Sequence, residues 1–170
     1  MHRFLLPLFL IPLLLIACGK KEVTVPEDSI GEEQIQFALP EQGKVVHPEH
    51  GEEKWFAYGS MAGEGQTPAN GVVQAYRFED GTYTLTMQLN IEIAPEGSFY
   101  EVWLVDEDGL VTSAGHLFNH FGDVRHQLTF ESTQDLRASL SVEVTLEADD
   151  GDPTQSQQVV ARGTLKRTRR

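Results

Sequence analysis

The 170-residue chain carries 13 Lys and Arg against 26 Asp and Glu, a formal charge of −13. So acidic a balance argues against nucleic acid as a partner, because proteins that bind DNA or RNA need a basic face to neutralise phosphates. A single Cys excludes internal disulfides, C-x-x-C redox chemistry and thiolate-rich zinc sites, and the length suits one folded domain.

In chain order the first feature is an address. His2 and Arg3 precede the apolar run Phe4 to Ile16, which only Pro7 and Pro12 interrupt. About thirteen residues are too few for a transmembrane helix, which needs about 20. The run ends in Leu15-Ile16-Ala17-Cys18-Gly19, which resembles a bacterial lipobox. The resemblance implies cleavage before Cys18 and acylation of its thiol and new amino group. Residues 1–17 are therefore expected to be a lipoprotein signal peptide. The acylated Cys18 is expected to hold the protein on the outer side of the cytoplasmic membrane or on the outer membrane, since several acyl chains anchor where one cannot.

Residues 18–53 read as an acidic flexible tether. From Glu22 to Glu53 nine acids face one base, Lys44, and prolines and glycines break any period. Such a segment would reach roughly 30–35 Å. Ile35, Phe37 and Leu39 alternate and offer one edge strand.

From Trp55 the pattern changes to period two. Tyr83, Leu85, Met87, Leu89, Ile91 and Ile93 alternate with polar residues, which predicts a long half-buried strand. Val72 to Phe78 precedes it across the hairpin turn Glu79-Asp80-Gly81. Phe99 to Val105 is apolar on both faces apart from Glu101, as expected of a strand packed on two sides. Asp106-Glu107-Asp108-Gly109 turns the chain into Leu110 to Leu117. Val124 to Phe130 and Leu140 to Leu146 alternate again, and a last strand follows Asp149-Asp150-Gly151-Asp152-Pro153 near Val159 to Leu165. The pattern predicts an all-β fold, an antiparallel Ig-like β-sandwich of about seven or eight strands over residues 54–166, with a basic tail at 167–170. Trp103, Tyr100, Leu104 and Leu146 are its expected core residues, while Trp55 stands at the tether boundary.

Three stretches together resemble a known family. Ser98-Phe99-Tyr100-Glu101-Val102-Trp103-Leu104-Val105 runs into an acidic Gly turn. Thr112-Ser113-Ala114-Gly115-His116-Leu117 follows. Val142-Glu143-Val144-Thr145-Leu146-Glu147 then leads to Val159-Val160-Ala161-Arg162-Gly163-Thr164-Leu165. This ordered set, roughly Trp55 to Leu165, resembles the C-terminal extracytoplasmic domain of anti-sigma-K factors. The resemblance implies that fold and setting. Members join the β-domain to a spanning helix and a cytoplasmic sigma-binding domain. No counterpart of those parts is read here, so direct contact with a sigma factor is not expected.

Candidate chemistry is sparse. His116, His120 and His126 with Asp123 are close in sequence, and His47 and His50 lie in the tether; imidazoles with a carboxylate suit zinc or copper. Satisfied or solvated histidines are the simpler reading, so neither a metal nor another cofactor is expected. The acidic loops 106–109 and 149–152 offer oxygen ligands to calcium but lack EF-hand spacing, and Asp and Gly serve turns for their own sake. No Gly-x-Ser-x-Gly occurs, Cys18 is taken by lipid, and no enzyme is expected. Lys166, Arg167, Arg169 and Arg170 could touch anionic headgroups. The expected function is a membrane-anchored, extracytoplasmic, non-catalytic binding or sensing module with an envelope protein as partner, linked to envelope signalling or anti-sigma regulation. The alternative is a periplasmic metal or small-ligand binder using the His116/His120/His126 region.

Overall fold

The computed structural model describes residues 43–169. The expected signal peptide, Cys18 and the alternation at Ile35, Phe37 and Leu39 lie outside the described residues. Ten strands follow in order: β1 Val46–His47, β2 Gly51–Gly63, β3 Asn70–Phe78, β4 Tyr83–Asn90, β5 Ser98–Val105, β6 Val111–His116, β7 Arg125–Ser132, β8 Ser141–Ala148, β9 Val159–Thr164 and β10 Lys166–Thr168. No helix occurs among the described residues.

Eight strands pair in the order β6-β5-β8-β9-β2-β3-β4-β7, and β1 and β10 add to β2. Every pairing is antiparallel. The expected antiparallel all-β sandwich is present, and its two layers belong to one sheet that curls until its ends nearly meet. Just past β6, Phe118 and Gln127 of β7 exchange backbone hydrogen bonds of 2.8 and 2.9 Å, so the structure is almost a barrel.

Period two places the interior. Val73 and Ala75 of β3, Leu85, Met87 and Leu89 of β4, Val102 and Leu104 of β5 and Val142 and Val144 of β8 point inward and are buried together. Tyr100 belongs to this cluster, and Leu146 packs against it half-buried. Ile91 remains buried just beyond β4, but Ile93 is exposed, because the Ile91 N–H bonds Val124 O and the ladder ends at Asn90. The closing Gly-x-Leu has a physical basis. A Cβ on Gly163 would stand 2.3 Å from Met61 Sδ, and Leu165 sinks into the core.

Trp103 is buried on the opposite face of β5 from Val102 and Leu104, as a strand packed on both sides requires. Its Nε1–H donates to Thr145 Oγ1 at 2.8 Å, and the Thr145 hydroxyl donates to the Glu147 carboxylate. Glu147 in turn accepts the Ser156 N–H at 3.0 and 3.1 Å, which ties the segment between β8 and β9 to this patch.

Two boundaries differ from expectation. The tether was expected to run to residue 53, yet Val45, His47 and Glu53 are buried and β1 pairs with Glu52 and Gly51. Acid content suggested a solvated chain, but the acids are accommodated locally: Lys44 Nζ bonds Glu52 Oε1 at 2.7 Å, and Glu53 Oε2 accepts the Val45 N–H at 3.1 Å. At the other end Arg167 and Thr168 were assigned to a basic tail, but they pair with Ala57 and Phe56 as part of β10.

Candidate functional site

The residues singled out from sequence for metal do not converge. His116 is exposed and stacks on Phe99 with ring centroids 4.0 Å apart. His120 is exposed between Phe118 and Phe121, at 6.1 and 6.5 Å. His126 is buried, and its Nδ1 faces Val124 O at 3.0 Å while its Nε2 faces Asn119 Nδ2 at 3.4 Å. Both of its ring nitrogens therefore have protein partners. Asp123 is gripped by Arg125, whose Nη2 lies 2.7 Å from Oδ2; those hydrogen bonds hold its carboxyl below the usual range. The acidic loops likewise serve their own turns: Asp106 Oδ1 accepts the N–H of Asp108 and Leu110, and Asp150 Oδ1 that of Asp152.

The same loop presents something else. Between β6 and β7 the chain exposes Phe118 at 61% and Phe121 at 55%, with Val124 beside them at 49%. The loop is held from beneath: Asn119 Oδ1 accepts the Gly122 N–H at 2.6 Å, and the Arg125 guanidinium sits 4.2 Å above the Phe121 ring. Apolar rings held outward on a fixed loop are what a protein partner buries at the centre of an interface.

A second cluster forms on the outer face of β2 and β3. Phe56, Tyr76 and Phe78 pack there with Val45, under the hairpin that joins β1 to β2. Gly51, with φ of 80°, lets the chain turn back at the start of β2. The turn brings His47 and His50 together, rings stacked at 4.4 Å, over Phe78 at 5.3 and 6.0 Å. His50 Nδ1 lies 2.7 Å from Asp80 Oδ2 in the β3–β4 turn, and its Nε2 lies 3.7 Å from Glu131 Oε1 on β7. Asp80 is fixed by the Thr82 N–H at 2.8 Å and hydroxyl at 2.9 Å, and the backbone bond chiefly holds its carboxyl below the ordinary range.

Sequence reasoning named His47 and His50 but neither carboxylate. Asp80 reads only as a turn residue, and Glu131 only as the residue that follows the alternating stretch Val124 to Phe130. The pairing of β4 with β7 brings Glu131 opposite Thr84, and only that register places it near the hairpin. Trp55 is half-buried and tilts against Tyr83 at 6.3 Å, so it packs onto the core edge.

Compared with known families, residues 15–159 match the model described as anti-sigma-K factor rskA, C-terminal. No curated protein and no solved structure matches the chain.

Proposed function

Because the chain belongs to the anti-sigma-K factor C-terminal family, a family of membrane-associated regulators, we propose that its β-sandwich is an extracytoplasmic, non-catalytic module that regulates by contacting another envelope protein. The observation that carries this reading is the extent of the family match, which spans the described strands from β1 into β9. Two features support the finer points. The Leu15-Ile16-Ala17-Cys18 junction supports a lipid anchor on Cys18 on the outer side of a bacterial membrane. The exposed rings of Phe118 and Phe121 supply an apolar contact on an otherwise acidic protein.

The chemistry the module needs is recognition alone. Strands fix the loop between β6 and β7 through the Phe118–Gln127 bridge, so the rings are offered to a partner with little ordering cost. The acidic segment that follows Cys18 would let the module search a shell around its anchor.

The test has two arms in living cells. Intact mass should show a chain beginning at Cys18 with acyl groups, and Cys18→Ser should leave the membrane fraction or remain uncut. A photocrosslinker at position 121 should capture one envelope protein, and one at the exposed Thr129 of β7 should not. Capture should survive His116→Ala, His120→Ala and His126→Ala combined. An unacylated chain beginning elsewhere, or equal capture from both positions, would overturn the reading.

A further inference from the structure

We propose that the outer-face cluster is a site for one divalent transition-metal ion of the zinc class, held by His47, His50 and Glu131. The ion would lock the β1–β2 hairpin onto the sheet. One nitrogen from each imidazole and one oxygen from the carboxylate already lie within 4.8 Å of one another. Ligand atoms bound to zinc at about 2.0–2.2 Å in tetrahedral geometry stand about 3.4 Å apart. His50 Nε2 and Glu131 Oε1, at 3.7 Å, need to close by only a few tenths of an ångström to meet this spacing.

Hydrogen bonding prepares His50 for the task. With Asp80 Oδ2 at 2.7 Å, Nδ1 is the ring nitrogen placed to donate, and in the neutral ring that tautomer would turn the Nε2 lone pair toward the Glu131 carboxylate. A carboxylate behind a ligating histidine fixes its tautomer and raises its basicity, the usual outer-shell arrangement of metal sites. Two lone-pair donors facing each other also repel unless a cation or a proton stands between them. Phe78 beneath both rings and the burial of His47 keep water from one side, which strengthens the field of the carboxylate.

His47 is the adjustable member. Its Nδ1 receives the Glu49 N–H at 3.2 Å, so the ring has to turn to contribute a nitrogen. The three ligands come from the hairpin and from β7, on the far side of β3 and β4. Binding would therefore staple the entry of the chain to the sheet.

The test titrates zinc into the full chain carrying Cys18→Ser, in detergent at about pH 7.5, with a chromophoric chelator as competitor. One equivalent should bind, and His50→Ala should abolish it. Glu131→Gln, a change at an exposed residue that keeps the shape, should abolish it too, with circular dichroism confirming the fold. Asp80→Asn should weaken binding about 10–100-fold. The His116→Ala, His120→Ala, His126→Ala variant should bind as before, and lowering the pH to about 5.5 should weaken binding because protons compete for the imidazoles. Absence of binding below about 100 µM zinc, or binding that Glu131→Gln leaves unchanged in a folded protein, would overturn the proposal.

Discussion

Between its layers the sheet buries Leu85, Leu89, Val102, Leu104, Val142 and Val144 against one another, whereas on its outer side it buries rings beneath polar covers. Phe56, Tyr76 and Phe78 lie under the β1–β2 hairpin, and Trp103 is bonded through Thr145 and Glu147 to Ser156 beyond β8. The interior needs only that each strand keep its alternation, because any apolar side chain of the right volume satisfies its neighbours. The outer patches need named partners, since their covers bring carboxylates, hydroxyls and imidazoles out of water. Burial there depends on hydrogen bonds between segments far apart in sequence. The difference predicts how each region responds to substitution.

The largest effect should fall on the outer side. Trp103→Ala removes a buried ring and the donor that faces Thr145, and should cost about 3–5 kcal/mol in denaturant unfolding. Trp103→Phe separates the two contributions: it keeps most of the packing but leaves the buried Thr145–Glu147 pair one donor short, at about 1–3 kcal/mol. A Phe variant as stable as the parent would break the comparison, because it would show that this patch, like the interior, answers only to volume. The interior supplies the next case. Leu104→Ala should cost about 2–5 kcal/mol and Leu104→Met less than about 1.5 kcal/mol, the signature of a site that registers volume and no polar partner.

The same division explains what could be read from the sequence. The strand from Tyr83 was legible because alternation is a local signal, and it failed only at Ile93, where a backbone bond to the loop past β6 redirects the chain. Tyr100 and Leu104 followed from the same rule. The fold of residues 44–53 was not legible, because their acids, Pro48 and Gly51 resemble a solvated linker until Lys44, Val45 and Glu53 are seen to pair across the hairpin. Lys166 to Thr168 were hidden in the same way: a basic end looks frayed, and only the free middle of β2 shows that they have a strand to join. The histidines were visible as residue types, but their grouping was not. His116, His120 and His126 are near in sequence and apart in space, while His47 and His50 acquire Asp80 and Glu131 only through the register of β3, β4 and β7.

A smaller effect concerns acid. Hydrogen bonds from Arg137 hold the Asp135 carboxyl down to about 2, against an ordinary 3.8. A carboxyl whose value is depressed by folding adds stability at pH above its unfolded value and loses it as pH falls through the folded one. The contribution should thus be complete above about pH 4 and fade between 3.8 and about 2. Both side chains are 47% exposed, so Asp135→Asn should cost less than about 1 kcal/mol at neutral pH. Its clearer mark should be a flatter acid limb in a series of urea midpoints between about pH 2 and pH 5. A limb as steep as the parent's would mean that other carboxylates, such as Asp80 beneath His50, carry the acid sensitivity of the fold.

The smallest effect on stability should accompany the largest effect on function. Phe118 and Phe121 are both more than half exposed, so replacing the two with Ser removes little buried area. The ties that shape their loop are made by other atoms: the Phe118 backbone keeps both of its bonds to Gln127, and Asn119 keeps the Gly122 N–H. What is lost is the stacking of Arg125 on Phe121, a surface contact of about 0.5–1 kcal/mol, and the exposed ring contacts of His120 with Phe118 and Phe121, while Arg125 retains its paired hold on Asp123. Unfolding of the double variant should therefore match the parent to within about 1 kcal/mol. If these rings are the apolar centre of a partner's interface, capture of that partner in cells should nevertheless collapse, because exposed apolar area held in place is useful only when something buries it. Unchanged capture would move the interface off this loop, and another exposed apolar surface on the sheet, Tyr58 and Val72 on the outer side of β2 and β3, would be the next place to substitute.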